Sequence, residues 1–152
     1  GIGLLRDEGL RYNPGSPRLH QELAWLFLHK LGTDSDSAAA YYRAQWAAEV
    51  AAGGAPLAPA LVRQIESEFG SLDWRTPQAQ AIYWAMAGLP FARSDFEDLA
   101  LRRTIYQALL QRLALGDRRL LGPTIAFVAD VARRHPGVGA VQDVLRQLRG
   151  LE

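Results

Sequence analysis

Apolar residues recur along most of the chain at spacings of three and four, which is the period of an α-helix. Leu19, Leu23, Leu26 and Phe27, for example, fall on one face of a helix. No segment alternates apolar and polar residues for long enough to form a strand. The pattern predicts an all-α protein: the last turns of one helix over residues 4–12, then seven helices over 17–31, 37–52, 57–69, 77–89, 96–115, 124–134 and 138–148.

Capping residues and prolines predict where several of these helices begin. Ser16-Pro17 and Thr76-Pro77 each place a hydroxyl side chain at the cap and a proline at the first helical position. Asp95 and Asp98, three residues apart, form a near capping box for the longest helix. Gly122-Pro123 predicts a break before the helix over residues 124–134.

The order of small and large residues between Gly9 and Trp46 resembles the tetratricopeptide repeat (TPR). Leu23, Ala24 and Phe27 fill the positions of leucine, small residue and aromatic residue in the first helix of such a unit. Ala38 and Tyr42 match the second helix, although Gln45 and Trp46 depart from the family pattern. The segments LDWRTPQAQAIYWAMAGL and HKLGTDSDSAAAYYRAQWA also resemble a bacterial family of repeat-bearing proteins, which implies no activity.

A second, more divergent unit covers residues 77–109, where Ala81 and Trp84 repeat the spacing of Ala24 and Phe27. The TPR family stacks such units as antiparallel helical hairpins, and the small residues let neighbouring helices approach closely. The resemblance therefore implies one domain over residues 1–152, folded as a short TPR-like α-solenoid. We expect Ala24 and Ala81 to be buried between helices.

The resemblance also implies a groove for a peptide or a partner helix, lined by the first helix of each hairpin. In the better-matched unit, over residues 9–46, the groove positions are Arg18, Gln21, Trp25 and His29. The alternative is that Trp25 is buried against a neighbouring helix while the other three side chains are solvated. The expected function is a non-catalytic protein–protein interaction scaffold.

Asp73, Trp74 and Arg75 are the most distinctive polar cluster in the sequence. A charged pair beside a tryptophan at a helix start can form part of a partner-binding site. The same three residues can also tie the connector to the helix that follows. The sequence leaves both interpretations open.

The charge distribution favours a second class of function as an alternative. Residues 1–100 hold eight basic and twelve acidic side chains (8 − 12 = −4), whereas residues 101–152 hold nine and four (9 − 4 = +5). A module that binds nucleic acid or another anionic surface would use this basic portion. No aromatic residues interleave with the arginines and no nucleic-acid motif is present, so a protein partner is preferred.

The sequence contains no pattern that indicates an enzyme, a metal site or a cofactor. There is no cysteine, and His20 and His29 are nine residues apart, which is poor spacing for two ligands on one helix. Asp34 and Asp36 lack the glycine and glutamate of a calcium loop. Neither a glycine-rich phosphate loop nor a nucleophile elbow occurs.

The ends of the chain indicate a piece of a longer protein, since it starts at Gly1 without an initiator methionine. No apolar run reaches the roughly 18–20 residues that cross a bilayer. These observations favour a cytoplasmic location, and they leave open an anchor elsewhere in the parent protein.

Overall fold

The fold is described from a computed structural model, over residues 2–31, 44 and 57–152. Every regular element within those residues is helical, as the apolar spacing predicts. The helix predicted over residues 37–52, with Ala38, Tyr42, Gln45 and Trp46, lies outside the described residues except for Ala44, which is helical.

Seven helices make up the described residues, and we number them in chain order. They are α1 (residues 2–12), α2 (Pro17–Leu26), α3 (Pro59–Phe69), α4 (Pro77–Gly88), α5 (Asp95–Ala114), α6 (Leu121–Arg134) and α7 (Gly139–Arg149). The centre of α1, Leu5–Gly9, and the continuation of α2, Phe27–Leu31, have wider π-helical turns. Short 3₁₀ turns follow α4, over Leu89–Phe91, and precede α6, over Arg118–Leu120.

The two predicted starts that combine a hydroxyl cap with a proline are confirmed. Ser16 Oγ accepts a hydrogen bond from the backbone N–H of Leu19 at 3.2 Å, at the start of α2. Thr76 Oγ1 accepts from the N–H of Ala79 at 3.3 Å, at the start of α4. In both helices the proline takes an early position where its missing N–H leaves no bond unmade.

Two predicted helix starts are wrong. The cap of α5 is Ser94, whose Oγ accepts from the N–H of Glu97, so the capping residues lie one position before Asp95 and Asp98. Gly122-Pro123 does not interrupt the chain before α6 but lies in its first turn. Proline is tolerated there because the first N–H groups of a helix have no partner within the helix.

Helix α4 lies at the centre of the fold. It packs against α2 on one side and α5 on another, and it also contacts α3. Most of its residues are buried, including the polar Gln78 and Gln80. Five of its twelve residues are alanine or glycine, so neighbouring helices can lie close to its backbone. As expected, Ala24 of α2 and Ala81 of α4 have no exposed surface.

Helices α2 and α4 lie close together at Gly88. A Cβ atom added to Gly88 would lie 2.6 Å from the Cβ of His20 and 3.2 Å from the Cδ2 of Leu101. No side chain larger than hydrogen fits between α2 and α5 at this point.

A row of polar side chains fixes the positions of α2, α4 and α5 relative to one another. Gln21 of α2 donates to Thr104 of α5 at 2.9 Å. Gln78 of α4 donates to Gln111 of α5 at 3.0 Å. Because each partner is at least half-buried, a shift of one helix along another would leave these groups without hydrogen bonds.

The remaining helices extend the same apolar core. Helix α6 packs against α5, and α7 pairs with α6. Helix α3 lies against α4 and α6, and its first turn is held by a hydrogen bond from the N–H of Ala58 to Tyr83 Oη at 2.9 Å. This arrangement brings α3, α4, α5 and α6 around a common cleft.

Candidate functional site

Trp25 lines a groove between α1 and α2. The groove has a volume of about 370 Å³ and is also lined by Leu5, Gln21, Glu22 and Leu26. The Trp25 side chain is 44% exposed, so it is not buried against a neighbouring helix. A large exposed aromatic ring with leucines on both sides is typical of a protein contact surface.

Two of the four residues predicted to line the groove do so. Gln21 and Trp25 line the groove, although Gln21 is also bonded to Thr104 of α5. His29 contacts the Trp25 ring, with ring centroids 4.7 Å apart, and burial lowers the pKa of His29. Arg18 lies on the exposed surface, where its Nε is 3.1 Å from the Glu22 carboxylate.

Asp73, Trp74 and Arg75 hold the connector against α4. The backbone N–H and the Nε of Arg75 donate to Asp73 Oδ1 at 3.1 and 3.0 Å, and these bonds hold the pKa of Asp73 below its ordinary value. The Trp74 carbonyl accepts from Gln80 Nε2 at 2.7 Å, and its ring meets the Tyr83 ring edge-on. None of the three residues lines the Trp25 groove.

A second cleft, which the sequence analysis did not identify, lies where α3, α4, α5 and α6 meet. Its volume is about 730 Å³. Leu61, Trp84, Phe91 and Phe127 supply much of its apolar lining. The indole N–H of Trp84 is buried and has no acceptor within the described residues.

Four charged residues, Glu68, Arg102, Asp130 and Arg134, line the same cleft. Burial raises the pKa of Glu68, and the negative charge of Asp130 raises it further. The opposing effect of the Arg102 guanidinium is too small to reverse this direction. Glu68 therefore loses its charge at a higher pH than an ordinary surface glutamate.

An ion-pair network crosses from α5 to α6 at the edge of this cleft. Arg102 Nε lies 2.9 Å from Asp98 Oδ2, and the same oxygen is 2.7 Å from His135 Nε2. Arg134 Nε donates to Asp130 Oδ2 at 2.8 Å. Burial would raise the pKa of Asp98, but the hydrogen bonds from His135 and Arg102 outweigh it and the pKa is lowered.

The sequence contained a partial signal for this network. Asp98 and Arg102, like Asp130 and Arg134, are four residues apart and can pair on one helix face. The two pairs lie close together only because α5 packs against α6. The sequence spacing within each pair does not predict that packing. Three arginines are thus held by aspartates: Arg102 by Asp98, and Arg133 and Arg134 by Asp130.

Arrangements typical of metal binding or of membrane spans are absent from the described part of the chain. Over residues 2–31 and 57–152, no group of three or more histidine, aspartate or glutamate side chains could hold a metal ion. No helix in those ranges is both long and apolar enough to cross a membrane. In comparisons with known proteins, no family model, no curated protein and no solved structure matches this chain.

Proposed function

We propose that this protein is a non-catalytic protein-interaction scaffold that binds a peptide or partner helix between helical hairpins. In this proposal α2 and α4 are the first helices of successive TPR-like hairpins, and α5 is the second helix of the later one. The burial of Ala24 and Ala81 and the direct packing of α2 on α4 support it. These are the contacts that a stacked array of hairpins requires.

The observation that carries the proposal is the exposure of Trp25 in a groove between two helices. Leu5 from α1 and Leu26 from α2 flank the ring, so an apolar stripe of a partner helix can lie between them. The Arg18–Glu22 pair next to the groove supplies both signs of charge for a polar rim. An amphipathic helical peptide matches this combination.

The ion pairs formed by arginines of residues 101–152 support a protein partner over nucleic acid. A basic ridge binds phosphates by releasing counterions, and this requires cations that are free to contact the backbone. Arg119, for example, lies 3.0 Å from Asp117 and also donates to the carbonyl of Ser71. With Arg102, Arg133 and Arg134 held in the same way, much of the positive charge of residues 101–152 is balanced locally.

A displayed library of amphipathic helical peptides, selected on the 152-residue chain, tests the proposal. The enriched peptides would be measured by fluorescence anisotropy against the wild type, Trp25→Ala and Phe96→Ala. Because Phe96 is an exposed aromatic residue that does not line the groove, it provides the matched control. We expect Trp25→Ala to weaken binding by about tenfold or more, and Phe96→Ala to change it by less than about twofold.

Two results would contradict the proposal. One is a set of enriched peptides whose affinities are the same for the wild type and for Trp25→Ala. The other is a failure to enrich peptides while duplex or single-stranded nucleic acid binds with a steep dependence on salt concentration. The second result would support the anionic-surface alternative.

A further inference from the structure

Arg102 does not use all of its hydrogen-bonding capacity in the cleft between α3, α4, α5 and α6. Its Nε donates to both oxygens of Asp98, at 3.1 and 2.9 Å. Its Nη1 lies 3.9 Å from Asp130 Oδ2, which is too far for a hydrogen bond. Within residues 2–31, 44 and 57–152, neither terminal nitrogen of Arg102 has an acceptor, although only 13% of the side chain is exposed.

We propose that this cleft binds a small organic carboxylate with an apolar body, and that Arg102 holds its carboxylate group. A guanidinium group presents its terminal N–H groups in a planar fork that matches the two oxygens of a carboxylate. The Arg102 bonds to Asp98 are made by Nε, so its terminal N–H groups remain available to the oxygens of a ligand. This cleft shares no lining residue with the Trp25 groove, so the two sites are independent.

The size and lining of the cleft fit the apolar body of such a ligand. A volume of about 730 Å³ is within the range of roughly 300–1,000 Å³ that is usual for small-molecule sites. Leu61 of α3, Trp84 of α4 and Phe127 of α6 line the cleft and can cover an aromatic or aliphatic group. The few charged groups near Arg102 would set the orientation of the ligand.

The charged side chains that line the cleft leave one positive charge for an anion when Glu68 is protonated. Arg102 and Arg134 carry two positive charges and Asp130 carries one negative charge, which gives 2 − 1 = +1. Asp130 repels an incoming carboxylate only weakly, because its oxygens already accept from Arg133 at 3.2 Å and from Arg134 at 2.8 Å.

Glu68 balances this remaining charge when the cleft is empty. It forms no ion pair within the described residues, and burial raises its pKa. A ligand carboxylate beside Arg102 would raise that pKa further, so binding would be coupled to proton uptake by Glu68. Affinity should therefore rise as the pH falls through the slightly acidic range, as long as the ligand stays ionised.

Three probes of equal shape and different charge test the inference on the wild-type chain. They are 3-phenylpropanoate, 3-phenylpropan-1-ol and 3-phenylpropylamine, each titrated by NMR while the Trp84 indole signal is followed. We expect the carboxylate to bind at least about tenfold more tightly than the alcohol or the amine, because it alone can accept charge-assisted hydrogen bonds. Equal or tighter binding of the amine would overturn the inference, as would the absence of any shift at Trp84.

Two substitutions and one matched control separate a binding role from a structural one. Arg102→Lys keeps the charge beside Asp98 but removes the planar fork, so we expect about a tenfold loss of affinity for 3-phenylpropanoate. Arg103→Lys makes the same exchange at the next residue, which does not line the cleft, and should leave the affinity unchanged. Equal effects of the two substitutions would contradict the role of Arg102.

Glu68→Gln is expected to tighten ligand binding, an effect that damage to the fold would not produce. Removing the competing carboxylate should tighten the binding of 3-phenylpropanoate by a few-fold and reduce its dependence on pH. The dependence that remains would come from His20, which also lines the cleft and whose pKa is lowered by burial. Glu68 lines the cleft but remains in contact with solvent, so Glu68→Gln should fold and provides a test even if Arg102→Lys does not fold. Weaker binding by Glu68→Gln would show that the cleft prefers cations.

The carboxylate can come from a free acid or from the C-terminus of a peptide. Acetyl-Gly-Gly-Phe with a free carboxylate and the same peptide as its amide distinguish these sources. Tighter binding of the free-carboxylate peptide than of 3-phenylpropanoate would assign the cleft to a chain terminus. The reverse order would assign it to a small acid, and binding of the amide peptide equal to that of the acid would contradict recognition of a carboxylate.

Discussion

At the scale of single residues, Gly88 shows how a position without a side chain sets the distance between two helices. An added methyl group would lie 2.6 Å from the Cβ of His20, and that atom cannot move without moving α2. Replacing glycine by alanine within a helix ordinarily stabilises it by about 1 kcal/mol. Here the steric conflict is larger than this gain, because α2 and α4 would have to separate.

We therefore expect Gly88→Ala to lower the free energy of unfolding by about 1–3 kcal/mol in chemical denaturation. The control is Gly139→Ala, where an added Cβ meets no atom within 4 Å. That variant should be neutral or more stable by up to about 1 kcal/mol. A Gly88→Ala protein as stable as the wild type would show that α2 and α4 are not so closely packed.

Asp98 makes the stability of the fold depend on pH. Its pKa is lowered in the folded protein, because the bonds from His135 and Arg102 outweigh the effect of burial. A lowered pKa means that the stabilisation is complete above the pKa of an unfolded aspartate, about 3.9, and is lost as the pH falls through the lower folded pKa.

Asp98→Asn should lower the free energy of unfolding by about 2 kcal/mol at neutral pH, since it weakens charge-assisted hydrogen bonds in a partly buried site. The difference from the wild type should shrink as the pH falls below about 3.9. Denaturant unfolding at a series of pH values measures both effects. Asp143→Asn, which affects an exposed pair with Arg146, should cost less than about 1 kcal/mol; an equal cost at both sites would contradict the special role of Asp98.

At the scale of elements, α4 is the helix that the sequence predicted best. Thr76-Pro77 defined its start, and its content of alanine and glycine indicated close packing. The boundaries of α5 and α6 were less well predicted. Ser94, Asp95 and Asp98 are all acceptable near a helix start, and proline fits either a break or a first turn. Local sequence does not distinguish these alternatives.

Ala81→Leu tests whether the small residues of α4 determine the packing. Ala81 has no exposed surface, so three additional carbon atoms would have to displace a neighbouring helix. We expect a loss of about 1–3 kcal/mol in the free energy of unfolding, measured by chemical denaturation. Ala126→Leu, at an exposed position of α6, should change it by less than about 0.5 kcal/mol.

At the scale of the whole molecule, stability should decrease from α4 outwards. Helix α4 is covered by α2, α3 and α5, whereas α1 packs mainly on α2 and contains a π-helical segment. The amides of α4 should therefore exchange with solvent only when the whole protein unfolds. Those of α1 should exchange through local opening, which requires less free energy. Hydrogen exchange followed by mass spectrometry measures this order, and equal protection of the two helices would contradict it.

The two surface features differ in how far the sequence indicated them. The sequence drew attention to Trp25 because this residue lies at a recognisable place in a repeat-like pattern. It did not indicate the cleft around Arg102, because Glu68 of α3, Arg102 of α5 and Asp130 of α6 are far apart in the chain. Only the packing of these helices brings their side chains together.

The sequence by itself determined the all-helical class, the burial of Ala24 and Ala81, and the caps at Ser16 and Thr76. Those features depend on residues within one or two helical turns of each other, so helical periodicity is sufficient to predict them. The tertiary structure alone decided that Gln21 bonds to Thr104 and that Arg102 has unused donors beside an apolar cleft. The angle at which two helices cross determines which of their side chains come into contact. That angle depends on the packing of all the side chains between the helices, which the local sequence does not specify.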